Sequence, residues 1–73
     1  MNPDKLVDMA NQIAQFFEAL PDAHEAEAGV ADHLRRFWAP SMRASLLAHV
    51  HARGTAGLRP LVVAAVAQLE AAR

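Results

Sequence analysis

Four prolines set the lengths of everything this chain can build. Pro3, Pro21, Pro40 and Pro60 are spread along 73 residues. Proline lacks a backbone N–H and clashes with the preceding turn, so it opens a helix or interrupts one but does not sit comfortably inside. Between the prolines, apolar residues recur at three- and four-residue steps, the period of an amphipathic helix and not the alternation of a strand. The expected product is an all-α fold, a small bundle of about four short helices at approximately 3–20, 22–38, 40–53 and 60–72, forming a single domain over 1–73.

The first helix is expected to start with Asn2 as cap and Pro3 at its first position. Its apolar side reads Leu6, Met9, Ala10, Ile13, Phe16, Phe17 and Leu20, and Pro21 closes it. Asp22 can cap the second helix by accepting from the Glu25 amide while Glu25 reaches back, a capping box. The buried side of this helix reads Ala23, Ala26, Val30, Leu34, Phe37 and Trp38, with Asp32 and Arg36 paired across one turn outside. Met42, Leu46, Leu47 and Val50 stripe the third helix, and Gly54 offers it a left-handed stop. The last helix is apolar on two sides: Leu61, Val62, Ala65, Val66 and Leu69 on one, Val63, Ala64, Ala67 and Ala71 on the other. A helix that is apolar all round normally sits inside something, so one of these faces is expected to pack on another chain.

A domain of this size lies near the limit at which one core holds itself together, and small chains usually gain the rest from cross-links, metal or a partner. The sequence has no cysteine, which removes disulfides and thiolate ligation. Met1-Asn2-Pro3-Asp4 shows no basic region followed by an apolar run, and no stretch approaches the ~20 apolar residues of a membrane span. A cytoplasmic location with no membrane association is the expectation. Net charge is −1 but segregated: seven of eight acids precede His33, whereas Arg35, Arg36, Arg43, Arg53 and Arg59 occupy a stretch free of acids. That basic middle suggests either solvated helix faces or a charge-complementary dock.

Little here suggests chemistry. Of the four histidines, none pair at the i, i+4 spacing that puts two imidazoles on one helical face, and His49 and His51 diverge. Ser41 and Ser45 lack the sharp turn or anion cradle of a nucleophile site. Glu25 and Glu27 point apart. Four short helices are also expected to leave no room for a pocket of roughly several hundred Å³. The expectation is a non-enzyme with no catalytic, cofactor-binding or metal-binding residues. The densest cluster is His33-Leu34-Arg35-Arg36-Phe37-Trp38-Ala39-Pro40-Ser41-Met42-Arg43, where aromatic residues and arginines, the types enriched in binding hot spots, crowd a proline-kinked corner. Phe37 and Trp38 equally suit a packing role, pinning the second helix to its neighbours.

That run, together with Met9-Ala10-Asn11-Gln12-Ile13-Ala14, Phe16-Phe17, Pro21 and Gly57-Leu58-Arg59-Pro60, resembles the delta subunit of soluble, NAD-dependent, molybdenum-containing formate dehydrogenases, over nearly the whole chain. The resemblance implies a small accessory subunit of a cytoplasmic complex whose larger chains hold the molybdenum–pterin guanine dinucleotide, iron–sulfur clusters and FMN and pass electrons from formate to NAD. The delta chain binds none of these durably. Its implied partner is the molybdenum-bearing alpha subunit, whose assembly, cofactor loading or stability it supports. The expected partner interface comprises Asn11, Gln12, Arg36, Trp38, Pro40, Met42 and Arg43, with Val63 and Ala67 on the second face of the last helix. Two departures stand out: aspartate is usual before the proline and arginine after it, where this chain has Ala39 and Ser41, and Arg59 replaces a capping serine. Ser41 is the candidate substitute cap.

Two rival readings are a self-associating helical module, with a homodimer formed by the isolated chain, and a small nucleic-acid-binding domain. Overall acidity counts against nucleic acid, since phosphate binding needs a sustained basic face.

Overall fold

The computed structural model describes residues 2–71. They form four helices, α1 (Pro3–Phe17), α2 (Ala23–Phe37), α3 (Pro40–Arg53) and α4 (Pro60–Ala71), and no strand. Ala72, the expected last residue of α4, lies outside the described residues. No described helix is long and apolar enough to cross a membrane.

Local chemistry sets each boundary. The Asn2 side chain accepts from the Asp4 amide at 2.9 Å and Pro3 follows at a position whose N–H would have no partner anyway. The sequence suggested that α1 continues to Leu20, but its last α-type bond is Glu18 N–H to Ala14 O. Ala19 and Leu20 then donate to Phe16 and Phe17, three residues back. Pro21 disfavours helical geometry at the residue before it, so the chain tightens into turns ahead of the ring. At α2 both cap bonds are accepted by Asp22, from the amides of His24 (2.8 Å) and Glu25 (3.2 Å). Asp32 and Arg36 pair at 3.0 Å on the outer side. Ala39 caps α3 with no side-chain bond, so Ser41 does not replace the missing aspartate. Gly54 ends α3 at φ 81° and ψ −163°, a region open essentially to glycine alone.

The core joins Leu6, Ala10 and Ala14 of α1, Val30, Ala31 and Leu34 of α2, Trp38, Leu46 of α3, and Val62, Ala65, Val66 and Leu69 of α4. Alanines at four of these positions let the helix axes approach closely. α4 packs most extensively on α2. Gly29 on α2 has its own reason: a Cβ there would fall within the ring of Phe17, which lies against the glycine. No polar side chain among the described residues is buried.

The molecule measures 31 × 24 × 19 Å and exposes 4579 Å². A compact protein of this mass exposes about 4,400 Å². Total exposure is therefore ordinary, and its distribution is not. The exposed large apolar side chains are Phe16, Leu20 and Phe37, on or beside α1 and α2.

Candidate functional site

At the α2–α3 corner, Trp38 adopts an extended conformation and Ala39-Pro40 turns the chain, which leaves the last carbonyls of α2 short of amide partners. Arg43, from the first turn of α3, reaches back to them. Its Nη1 donates to the carbonyls of Trp38 (2.7 Å), Arg35 (3.0 Å) and Leu34 (3.2 Å). Two hydrogens shared among three acceptors, with a full positive charge at the negative end of the α2 dipole, make this a side-chain cap on the helix C-terminus. Part of the donor fork expected to face a partner is thus used inside the chain.

The doublet Phe37-Trp38 divides its roles. Val30, Leu34 and Trp38 step by four into the core, and Trp38 is 6% exposed. Phe37, expected on the buried side, lies one position round the helix and is 72% exposed, its ring packed on His33 at 4.8 Å between centroids. Phe16-Phe17 repeats the pattern: Phe17 packs on the core and Phe16 is 75% exposed, edge-on to its neighbour at 5.3 Å. Consecutive helical residues diverge by 100°, so the two rings of a doublet face different directions. That divergence marks each doublet as a place where one ring can be left outside, while tertiary packing decides which.

Between α1 and α2 runs an open groove of about 490 Å³, lined by Met9, Gln12, Ile13, Phe16, Phe17, His33 and Trp38, with Phe37 outside the lining and packed on His33. A second, shallow groove of about 710 Å³ follows α3 from Pro40 and Arg43 past Leu47 to His51 and Ala52. Both contradict the expectation that four short helices leave no hollow of this volume. They are furrows between ridges of side chains, open to solvent, and not chambers enclosed by the bundle.

Asn11 serves the fold. Its Nδ2 donates to Gly57 O at 2.8 Å and its Oδ1 accepts from the Arg59 amide at 3.0 Å, holding the loop before α4 against α1. Gly57 turns with φ 84°, and the Arg59 carbonyl accepts from Val62 and Val63 to begin α4. The Arg59 side chain closes the same junction through a two-pronged contact with Glu18, Nε to Oε2 at 2.6 Å and Nη2 to Oε1 at 2.8 Å. The hydrogen bond from Arg59 holds the Glu18 carboxyl below its ordinary value, against an opposing effect of desolvation, and the same bond raises Arg59. His51 and Glu70 meet at 2.6 Å across α3 and α4.

The structure therefore distributes the sequence-predicted interface. Gln12 and Trp38 share the α1–α2 groove, and Pro40 and Arg43 share the α3 groove. Met42 is half-buried against the core, and Arg36 is exposed and tied to Asp32. On α4, Val63 is half-buried and Ala67 exposed. Sequence reasoning missed Phe16, Phe37 and the Glu18–Arg59 contact. The last spans 41 positions, beyond the reach of local pattern.

A family model described as "NADH-dependant formate dehydrogenase delta subunit FdsD" matches residues 5–66, a span that contains both grooves and all the contacts between Asn11 and Arg59. No curated protein and no solved structure matches the chain.

Proposed function

Because the chain belongs to the NADH-dependent formate dehydrogenase delta subunit family, we propose that it is a non-catalytic accessory subunit of a cytoplasmic, NAD-dependent formate dehydrogenase. In this reading it binds the molybdenum-bearing alpha subunit and supports its assembly, cofactor loading or stability. The family match over residues 5–66 carries the proposal.

The donor chemistry agrees with placing the cofactors in other chains. Iron–sulfur clusters are held by thiolates, and this sequence has none to offer. Among the described residues no three His, Asp or Glu side chains converge as a metal site would require. In this proposal the molybdenum–pterin guanine dinucleotide, the clusters, FMN and the NAD site belong to the larger subunits, and this chain acts by contact.

The test is coexpression with the other formate dehydrogenase subunits, with and without this chain. The proposal expects copurification with the alpha subunit, and a lower molybdenum content or formate oxidation rate per alpha subunit when the chain is omitted. No association, together with an alpha subunit equally loaded and equally active in its absence, would overturn it.

A further inference from the structure

We infer that the α1–α2 groove, with Phe16 in its wall and Phe37 packed on its lining residue His33 as anchors, is the surface that docks onto the larger subunit, and that it receives an uncharged, apolar segment there. The inference rests on the accessory-subunit reading and specifies its contact.

Three observations define the occupant. First, no Asp, Glu, Lys or Arg lines the groove: Met9, Ile13, Phe16, Phe17 and Trp38 are apolar, and Gln12 and His33 supply the polar atoms. Arg36, one turn from His33 on α2, is already paired with Asp32. A partner presenting a charge to this hollow would strand it without compensation, so the complementary surface is neutral and apolar with a hydrogen-bonding group in reach of Gln12. Second, two phenylalanines, Phe16 in the groove wall and Phe37 against the lining residue His33, are 75% and 72% exposed, and each ring packs on a neighbour, Phe16 on Phe17 and Phe37 on His33. Rigid exposed aromatics beside an apolar hollow are the form a binding hot spot takes, and they carry little entropy to lose.

Third, area discriminates between partners. The two rings expose on the order of 300 Å², whereas a stable interface needs about 800 Å² from each side. A second copy would bring the same two rings, and a contact confined to them covers on the order of 300 Å² from each copy, short of that requirement. A larger chain can cover both rings and continue along the flanking surface of α1 and α2, so the occupant is a larger subunit and not a second copy.

The measurement is affinity of the chain for the coexpressed alpha subunit, comparing wild type, the double variant F16S/F37S and A67D on the exposed side of α4. Since both rings already face solvent, F16S/F37S is expected to keep the wild-type helical signal and melting behaviour. It is expected to bind at least thirty-fold more weakly, while A67D binds as wild type does. Equal binding by F16S/F37S and wild type overturns the surface, as does weakening confined to A67D. An isolated chain that sediments as a dimer, is split by F16S/F37S and binds alpha undiminished by those changes overturns the choice of occupant. Failure of the wild type itself to bind alpha removes the accessory-subunit reading and this inference with it, so the two failures are told apart by the wild-type arm.

Discussion

α4 and the α1–α2 face expose apolar surface in the opposite order to what their compositions suggest. α4 has the most apolar composition of the four helices, yet Val62, Ala65, Val66 and Leu69 are buried on its neighbours, Val63 is half-buried, and the exposed residues are Pro60, Ala67 and Ala71. α1 and α2 carry many polar residues, yet they expose Phe16 and Phe37. The difference is one of side-chain size and helical phase. An exposed alanine offers one methyl group to a partner, while a phenylalanine left outside offers roughly 150 Å². Counting apolar positions overstates the surplus on an alanine-rich helix and overlooks it where one ring of a doublet must face outward.

The comparison breaks most visibly at Trp38. Truncating this buried ring to alanine is expected to cost about 3–5 kcal/mol, close to the whole stability of a domain this small. Urea denaturation read by far-ultraviolet circular dichroism should find Trp38→Ala largely unfolded. Next comes Arg43→Met, which leaves the α2 carbonyls uncapped and is expected to lower stability by about 1–2 kcal/mol, measured in the same way. Gly29→Ala is a subtler test of the α1–α2 contact. Alanine ordinarily adds about 1 kcal/mol over glycine in a helix. Here the new methyl meets the Phe17 ring, so the gain is expected to vanish in the wild-type background and to reappear in Phe17→Ala, which a double-mutant cycle would detect.

The Glu18–Arg59 contact gives a smaller, pH-dependent effect. Arg59 holds the folded-state Glu18 below its usual pKa of 4.5, so the contribution is full at pH well above that value and is lost as pH falls through the depressed folded-state pKa. Because both side chains are substantially exposed, the melting temperature should fall only slightly more with acid in the wild type than in Arg59→Gln. The smallest stability change is expected for Phe37→Ala, within about 0.5 kcal/mol of wild type. Paired with its neighbour Trp38→Ala, it measures directly how differently two adjacent aromatics are used.

Much of the fold was legible because it is written locally. The prolines, the caps at Asn2 and Asp22, Gly54 and the Asp32–Arg36 pair each act within a few residues of themselves, and helical period located most of the core. The candidate surface was less legible because its chemistry depends on contacts between elements. Arg43 looks like a free hot-spot residue until α2 is seen ending beneath it. Asn11 sits on a polar flank of α1, and only the return of the chain at Gly57 gives its amide both partners. Several residues in the recognisable strings, among them Asn11, Trp38, Arg43, Gly57 and Arg59, hold the chain together, and the exposed rings lie beside them. Phe16 and Phe37 were visible as letters, but which member of each doublet turns inward is decided by the packing of Val30, Leu34 and Gly29.

The most direct test of docking through α1 and α2 is backbone amide hydrogen exchange on the chain alone and in its complex with the alpha subunit. The account predicts added protection concentrated in residues 9–17 and 33–38, with α4 little changed. Added protection confined to residues 60–71, with α1 and α2 exchanging as in the free chain, would contradict it.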